Sequence, residues 1–200
     1  MLKYEILVVG ELQTNCYLVW AEDKKAVIID PGDEGTEIAQ RINELGLSPI
    51  AILLTHGHFD HVMGAMDLKL ILNVPIYCHS QDIFLLERQK KTASHYLKQR
   101  ILPPNIGKID VDLKKIKEII IGNDKLEIVY LPGHTPGGVG FYYQKAGWLF
   151  DGDILFSEGF IGDASHNYSS KSDMAKSVKN ILDLPKGTLI LPGHGESFII

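Results

Sequence analysis

Cysteine is nearly absent: the 200 residues contain only Cys16 and Cys78, each in an apolar, strand-like context. Such scarcity excludes a disulfide framework, and both thiols are expected as small buried hydrophobes. Long apolar runs are missing as well. No stretch approaches the roughly 18 residues that read as a membrane span. The opening Met1-Leu2-Lys3-Tyr4-Glu5-Ile6-Leu7 has neither the apolar core nor the small-residue cleavage site of a secretory signal. The expectation is a soluble, cytoplasmic protein with no membrane partner. No linker or low-complexity tract divides the chain, and 45% hydrophobic residues suit one well-buried core, so one domain spanning 1–200 is expected. A net charge of −5 and a pI near 5.9 lack the basic footprint of a nucleic-acid partner. Nothing in the composition speaks to oligomeric state.

The acidic balance hides an asymmetry. From Arg88 to Lys117, nine of the 20 Lys and Arg residues stand against Asp110 and Asp112 alone. That segment is +7, which leaves −12 elsewhere. A solvated helical face explains most such runs. An electrostatic guide for an anionic substrate is the sharper alternative.

Runs rich in β-branched and aromatic residues at Ile6 to Val9, Cys16 to Trp20 and Ala26 to Asp30, separated by polar turns, predict an antiparallel meander. From Asp33 to Leu45, apolar residues recur at Ile38, Ile42 and Leu45 with Gly46 just beyond, an amphipathic helix with a glycine stop. A buried strand over Ile50 to Leu54 follows, then an apolar helix over Val62 to Leu72 and a strand over Pro75 to Cys78. The basic segment reads as helices broken at Pro103-Pro104. The second half repeats the plan. Strands at Glu118 to Ile121, Leu126 to Leu131, Val139 to Tyr143 and Trp148 to Phe150 precede a polar loop, a helix over Asp173 to Leu182 and a last strand at Thr188 to Leu191. Two β-rich halves, each closed by a helix and a strand that runs into histidine, imply an α/β chain folded as an αββα four-layer sandwich, with its site between sheet edges.

Thr55-His56-Gly57-His58-Phe59-Asp60-His61 packs three imidazoles and a carboxylate into six residues, directly after Ile50-Ala51-Ile52-Leu53-Leu54. Neutral imidazole and carboxylate suit zinc, iron and manganese, and a strand that stops abruptly delivers several of them to one point. A polar loop with Asp60 as a helix cap is the plainer alternative. Three later strand ends each add a donor: His134 in Gly133-His134-Thr135-Pro136-Gly137, Asp153 after Asp151-Gly152, and His194 in Gly193-His194-Gly195. The flanking glycines let backbone pass close to a metal without an intervening side chain. His56, His58, Asp60, His61, His134, Asp153 and His194 make seven donors, the number that two adjacent metals need.

In order along the chain, THxHxDH at 55–61, GHTPG at 133–137, GDxLF at 152–156 and GHG at 193–195 resemble the metallo-β-lactamase superfamily, and within it the short glyoxalase II-like (hydroxyacylglutathione hydrolase-like) hydrolases. Asn15-Cys16-Tyr17-Leu18 and Ile29-Asp30-Pro31-Gly32 agree with that resemblance, which spans nearly the whole chain. It implies the metallo-β-lactamase fold, with His56, His58 and His134 on one divalent metal, Asp60, His61 and His194 on a second, and Asp153 bridging. Zinc is the expected ion at both positions, with iron or manganese as alternatives. The implied nucleophile is a metal-bridging hydroxide, and one metal polarises the carbonyl under attack. Asp60 is a further candidate for orienting the nucleophile. The implied substrate is a small, anionic molecule with a thioester or similarly activated acyl bond. A thiolate leaves with little protonation, which fits the absence of a general acid from these motifs.

The chain departs from the family in two places. The carboxyl-terminal helical domain with which glyoxalase II enzymes bind glutathione is expected to be missing, since six residues follow His194 here. Short relatives and the related persulfide dioxygenases carry an arginine-containing GRTDF-like stretch after GDxLF. Here that loop reads Ser157-Glu158-Gly159-Phe160-Ile161-Gly162-Asp163-Ala164-Ser165, and no Lys or Arg lies between Lys145 and Lys171. The usual partner for the carboxylates of glutathione is therefore not visible. His95 with Tyr96, and His166 with Tyr168, are candidates for lining the substrate cleft, whereas His79 is expected to be structural. The main rival function is oxidative: His56, His134 and Asp153 are a two-histidine, one-carboxylate set that suits a single non-haem iron, as in the resembling persulfide dioxygenases. A lactonase would use the same seven residues. β-Lactamase action is disfavoured by Asp153 at the bridging position, and a noncatalytic metal-binding module ranks last.

Overall fold

In a computed structural model, which describes residues 1–98 and 106–200, the expected meander forms from β1 (Lys3–Val9), β2 (Thr14–Trp20) and β3 (Lys25–Ile29), paired antiparallel. Helix α1 (Gly35–Glu44) leads to β4 (Ser48–Leu53), which lies parallel to β3. β5 (Ile76–Cys78) and the two-residue β6 (Val111–Asp112) extend the parallel part, so the first sheet runs in chain order from β1 to β6. The second sheet holds β7 (Glu118–Ile121), β8 (Asp124–Tyr130), β9 (Val139–Tyr143), β10 (Trp148–Gly152), β11 (Leu189–Pro192) and β12 (Phe198–Ile199). These also lie in chain order, and α5 (Lys171–Leu182) is the crossover between the parallel β10 and β11. β6 and β12, two residues each, carry no run long enough for the sequence to announce them.

Period-two alternation divides the side chains of the first sheet between two cores. Cys16, Leu18, Ile28 and Ile52 pack with Ile38 and Ile42 of α1 and with Leu68 of α3 (Ala65–Leu72). Their neighbours Tyr17, Val19, Val27, Ile29 and Leu53 face the second sheet, where they meet Leu126, Phe141, Phe150 and Leu191. On the far side of that sheet, Tyr142, Leu149 and Ile190 pack against Met174 and Ile181 of α5. Three apolar interfaces make the four layers α, β, β, α that the sequence implies. Strands covered on both faces need apolar residues at nearly every position, which is why β2 reads as a continuous run and not as an alternating one.

One expected element is corrected. Val62 to Leu72 is not a single helix: α2 (Phe59–Val62) is separated from α3 at Met63-Gly64. There the Gly64 amide donates to the Pro31 carbonyl at 2.9 Å, and a Cβ on Gly64 would stand 2.7 Å from the Asp33 carbonyl oxygen. The run has helical composition, but the loop after β3 presses against it and takes the amide. Helix α4 (Ile83–Leu97) carries the first part of the basic segment. The expected break at Pro103-Pro104, and Arg100, lie outside the described residues. Cys16 and Cys78 are buried and free. No described helix is long and apolar enough to cross a membrane.

Candidate metal centre

Topology assembles the site. β8 and β10 each run antiparallel to β9, and β11 runs parallel to β10, so all three end at the same edge of the second sheet. Those ends present His134, Asp153 and His194, opposite the loop that follows β4. Two main-chain bonds join the sheets at this edge: Val139 N–H donates to the Thr55 carbonyl at 2.9 Å, and Asn15 N–H to the Gly193 carbonyl at 2.7 Å.

All seven side chains come together. The donor atoms of His56, His58 and His134 lie within 4.8 Å of one another, as do those of Asp60, His61 and His194. Within these groups, His58 Nδ1 stands 2.9 Å from His134 Nε2, and His61 Nε2 stands 3.2 Å from His194 Nε2. Asp153 lies between them, with Oδ2 3.6 Å from His134 Nε2 and 3.7 Å from His194 Nε2, and Oδ1 3.5 Å from His61 Nε2. His61 is fully buried while His194 keeps 26% of its side chain exposed, so the cluster opens to solvent on the His194 side.

The outward nitrogens are anchored, and this fixes which nitrogen faces the centre. His134 Nδ1 donates to the Asp163 carbonyl at 2.7 Å, His61 Nδ1 to Asp30 Oδ2 at 3.0 Å, and His194 Nδ1 to the Gln13 carbonyl at 3.3 Å. The Thr55 hydroxyl donates to Asp30, so it accepts from His56 Nδ1 at 3.0 Å. Each of these rings turns Nε2 inward. His58 is reversed: Nδ1 faces inward and Nε2 stands 2.9 Å from the Tyr168 hydroxyl. Asp30, His56 and His61 form a third close group, but Asp30 already accepts from Thr55 N, Thr55 Oγ1 and His61 Nδ1 and serves as the outer support of the other two.

The donor set fits metal ions. His56 Nε2 and Asp153 Oδ1 are buried with no hydrogen-bond partner, a costly state that a cation between them would relieve. Burial pushes the imidazolium form of His56 down, and that of His58 to about 3, which leaves neutral rings with free lone pairs. In His61, burial is outweighed by the carboxylates of Asp153 and Asp60, which hold its pKa up. In Asp153, burial is outweighed by His61, His56 and His134, which hold its pKa down. A cation held here would take the place of the proton of this ion pair.

Several supporting residues were not legible as such. Asp82 is buried and accepts from Gly57 N at 3.0 Å, Thr135 Oγ1 at 2.7 Å and Gly137 N at 2.7 Å, tying the first histidine loop to the second. Asn15 Nδ2 donates to the Pro192 and Gly195 carbonyls, each at 2.9 Å, and Tyr17 OH donates to Pro192 O at 2.6 Å, which holds the loop of His194. Of the cleft candidates, Tyr168 touches His58, and the His166 ring stacks on Tyr168 at 5.1 Å and lies 5.8 Å from that of His58. Tyr96 stacks on Phe59 at 5.6 Å, and His95 lies one ring further out, edge-on to Tyr96. His79 is buried, stacks on Tyr130 and accepts from Gln81 N, a structural placement.

Gly193 is required by close approach. A Cβ there would stand 2.3 Å from Asp153 Oδ1 and 2.6 Å from His61 Cε1. Gly193→Ala is expected to lower unfolding free energy by about 1–3 kcal/mol and to reduce bound metal, read by urea denaturation and elemental analysis. Gly107→Ala, where nothing lies within 4 Å of the added carbon, serves as the neutral control.

The metallo-β-lactamase superfamily matches residues 9–194. The hydroxyacylglutathione hydrolase GloC of Haemophilus influenzae is 38% identical, over 98% of this chain and 92% of that protein. Among solved structures, the BLEG-1 B3 metallo-β-lactamase superposes with a TM-score of 0.90 at 32% identity, and TTHA1623 in a di-iron-bound form with 0.87 at 33%, each covering 98% of this chain and 94% of the other. The order of the strand-end motifs, the four layers and the donor cluster all agree with that match, and the chain belongs to the metallo-β-lactamase superfamily.

Proposed function

We propose that the protein is a metal-dependent hydrolase that cleaves a thioester or similarly activated acyl bond, in the manner of the hydroxyacylglutathione hydrolase it resembles. The observation that carries this reading is Asp153, whose carboxylate lies within 3.7 Å of imidazoles from both three-residue groups. A shared carboxylate between two adjacent groups suits a dinuclear centre better than a lone ion. Two divalent ions, zinc in our assignment, would be held by His56, His58 and His134 and by Asp60, His61 and His194, with Asp153 close to both groups, and would supply a water of lowered pKa and a Lewis acid for an acyl carbonyl.

The chain contributes positioning and charge. Two doubly charged cations against two carboxylates leave the centre positive, which favours an anionic substrate. Asp60 Oδ2 lies 3.3 Å from His194 Nε2, at the more open group, where it can orient the nucleophile. The Tyr168 hydroxyl steadies His58. No side chain in the cluster is placed as a general acid, consistent with a thiolate leaving group.

The rival reading, a mononuclear iron dioxygenase using His56, His134 and Asp153, is separated by one experiment. Protein purified without added metal is analysed for metals, then assayed for hydrolysis of a hydroxyacyl-glutathione thioester and for oxygen uptake with glutathione persulfide. Two ions per chain with hydrolysis are expected. One iron per chain with oxygen uptake and no hydrolysis would overturn the assignment.

A further inference from the structure

The geometry points to a carboxylate-binding subsite at Arg88, on an aromatic wall beside His58, which receives the anionic end of the substrate. This rests on the hydrolase reading above and specifies which substrates it takes. Helix α4 forms the wall: Tyr96 stacks on Phe59, the residue between His58 and Asp60, at 5.6 Å and 21°. Near the other end of the helix, Phe84 meets the Tyr168 ring edge-on at 5.4 Å. Tyr168 in turn places its hydroxyl 2.9 Å from His58 Nε2. Phe84 and Arg88 are four residues apart and share a helix face. The Arg88 guanidinium carbon stands 5.5 Å from the Phe84 ring centroid. Rings thus lead from the metal ligands to a cation without interruption.

Arg88 is exposed and makes no ion pair with any described residue, whereas Arg41 is taken up by Glu5 and Glu44 and Lys69 by Asp110. Lys90 and Lys91 are unpaired as well, but among the described residues only Arg88 lies over a ring. A guanidinium is suited to this task because its planar fork bonds a carboxylate bidentately, and a ring beneath it holds that plane without removing its donors. The loop from Ser157 to Ser165, which reaches the cluster through the Asp163 carbonyl, contains no Lys or Arg that could compete. Arg88 thereby supplies from α4 the positive charge that the loop after β10 lacks. The substrate class that fits is an acyl thioester bearing a carboxylate, its sulfur end lying along the Tyr168 and Phe84 rings.

The test uses metal-loaded wild type, Arg88→Met and Arg88→Lys. One acyl group is presented on glutathione, which carries carboxylates, and on N-acetylcysteamine, which carries none. Arg88→Met is expected to raise KM for the glutathione thioester about tenfold to a hundredfold, the range for losing bonds to a charged group, with kcat within about twofold. KM for the neutral thioester stays unchanged, and Arg88→Lys restores part of the loss. Calorimetry with S-hexylglutathione, which cannot be hydrolysed, reads the subsite without the reaction. Its Kd is expected to weaken in parallel with KM. Hydrolysis by wild type with the same KM and Kd in Arg88→Met would overturn the subsite alone. Arg88-dependent binding without hydrolysis would uphold the subsite and overturn the hydrolase reading.

Discussion

Asp153→Ala is expected to lower kcat/KM for thioester hydrolysis by at least about a thousandfold and to leave fewer than one bound metal per chain. Asp153 is the carboxylate that lies close to both histidine groups, and its removal leaves imidazoles converging on two adjacent cations with only Asp60 to balance them. It also strips His61 of the main charge that holds its proton, so the apo cluster loses its internal ion pair. Asp153→Asn separates charge from shape: the amide fills the same space and presents one oxygen, yet the metal content is expected to fall almost as far. Asp60→Asn, at the open group, is expected to cost the second ion while the first stays bound. Elemental analysis after dialysis, together with initial rates, reads all three variants. Retention of two ions by Asp153→Ala would remove Asp153 from the centre.

Asp82→Ala is expected to destabilise the fold by about 3 kcal/mol and to weaken metal binding by roughly tenfold to a hundredfold. Its two oxygens accept three donors, Gly57 N, Thr135 Oγ1 and Gly137 N, and all lie in the interior. Each orphaned buried donor costs about 1–3 kcal/mol. Burial raises the carboxyl pKa of Asp82 even against those three bonds, so its deletion also relieves a desolvation cost, and the lower part of the summed range is the expected one. The loss in metal affinity follows because Gly57 lies between His56 and His58, and Thr135 adjoins His134, so the loops bearing the first group lose their common anchor. Urea unfolding of the metal-free protein measures the first effect, and competition with a chromophoric chelator the second. An unfolding free energy within about 0.5 kcal/mol of wild type would show that these loops hold their shape without Asp82.

The candidate donors that the fold brings together were legible because histidine is rare and because glycine beside it marks backbone that must pass close to something. His56, His58 and His61 announce themselves locally, and His134 and His194 do so through their Gly-His turns. The layers were legible because β2, β3 and β4 are apolar on both faces. What stayed hidden has one physical character. Asp30, Asp82 and Asp163 support the candidate donors through contacts to residues 25 or more positions away, and one polar residue at a strand end or helix start carries no local sign of that duty. Gly64 breaks an apolar run for the same reason, since the carbonyls that force the break belong to Pro31 and Asp33. The exposure of the basic segment bears on the plainer of the two readings offered for it. Lys91, Lys114, Lys115 and Lys117 are exposed, as a solvated face requires, and among the described residues of the segment only Arg88 lies over a ring, that of Phe84.

The contact between His61 and His194 closes across 133 residues, and the bond from Asn15 to Gly195 across 180. Four of the seven donors, by contrast, lie within the six residues from His56 to His61. The unfolded chain therefore keeps a short chelating loop, while the donors that complete each group arrive only when both sheets have formed and docked, a slow, non-local event. Ions that bind this loop before folding raise metal affinity in the unfolded ensemble as well as in the native one. Metal then stabilises the protein by less than its native affinity alone predicts, and the surplus is set by His134, Asp153 and His194. Capture belongs to the local loop, and retention belongs to the topology.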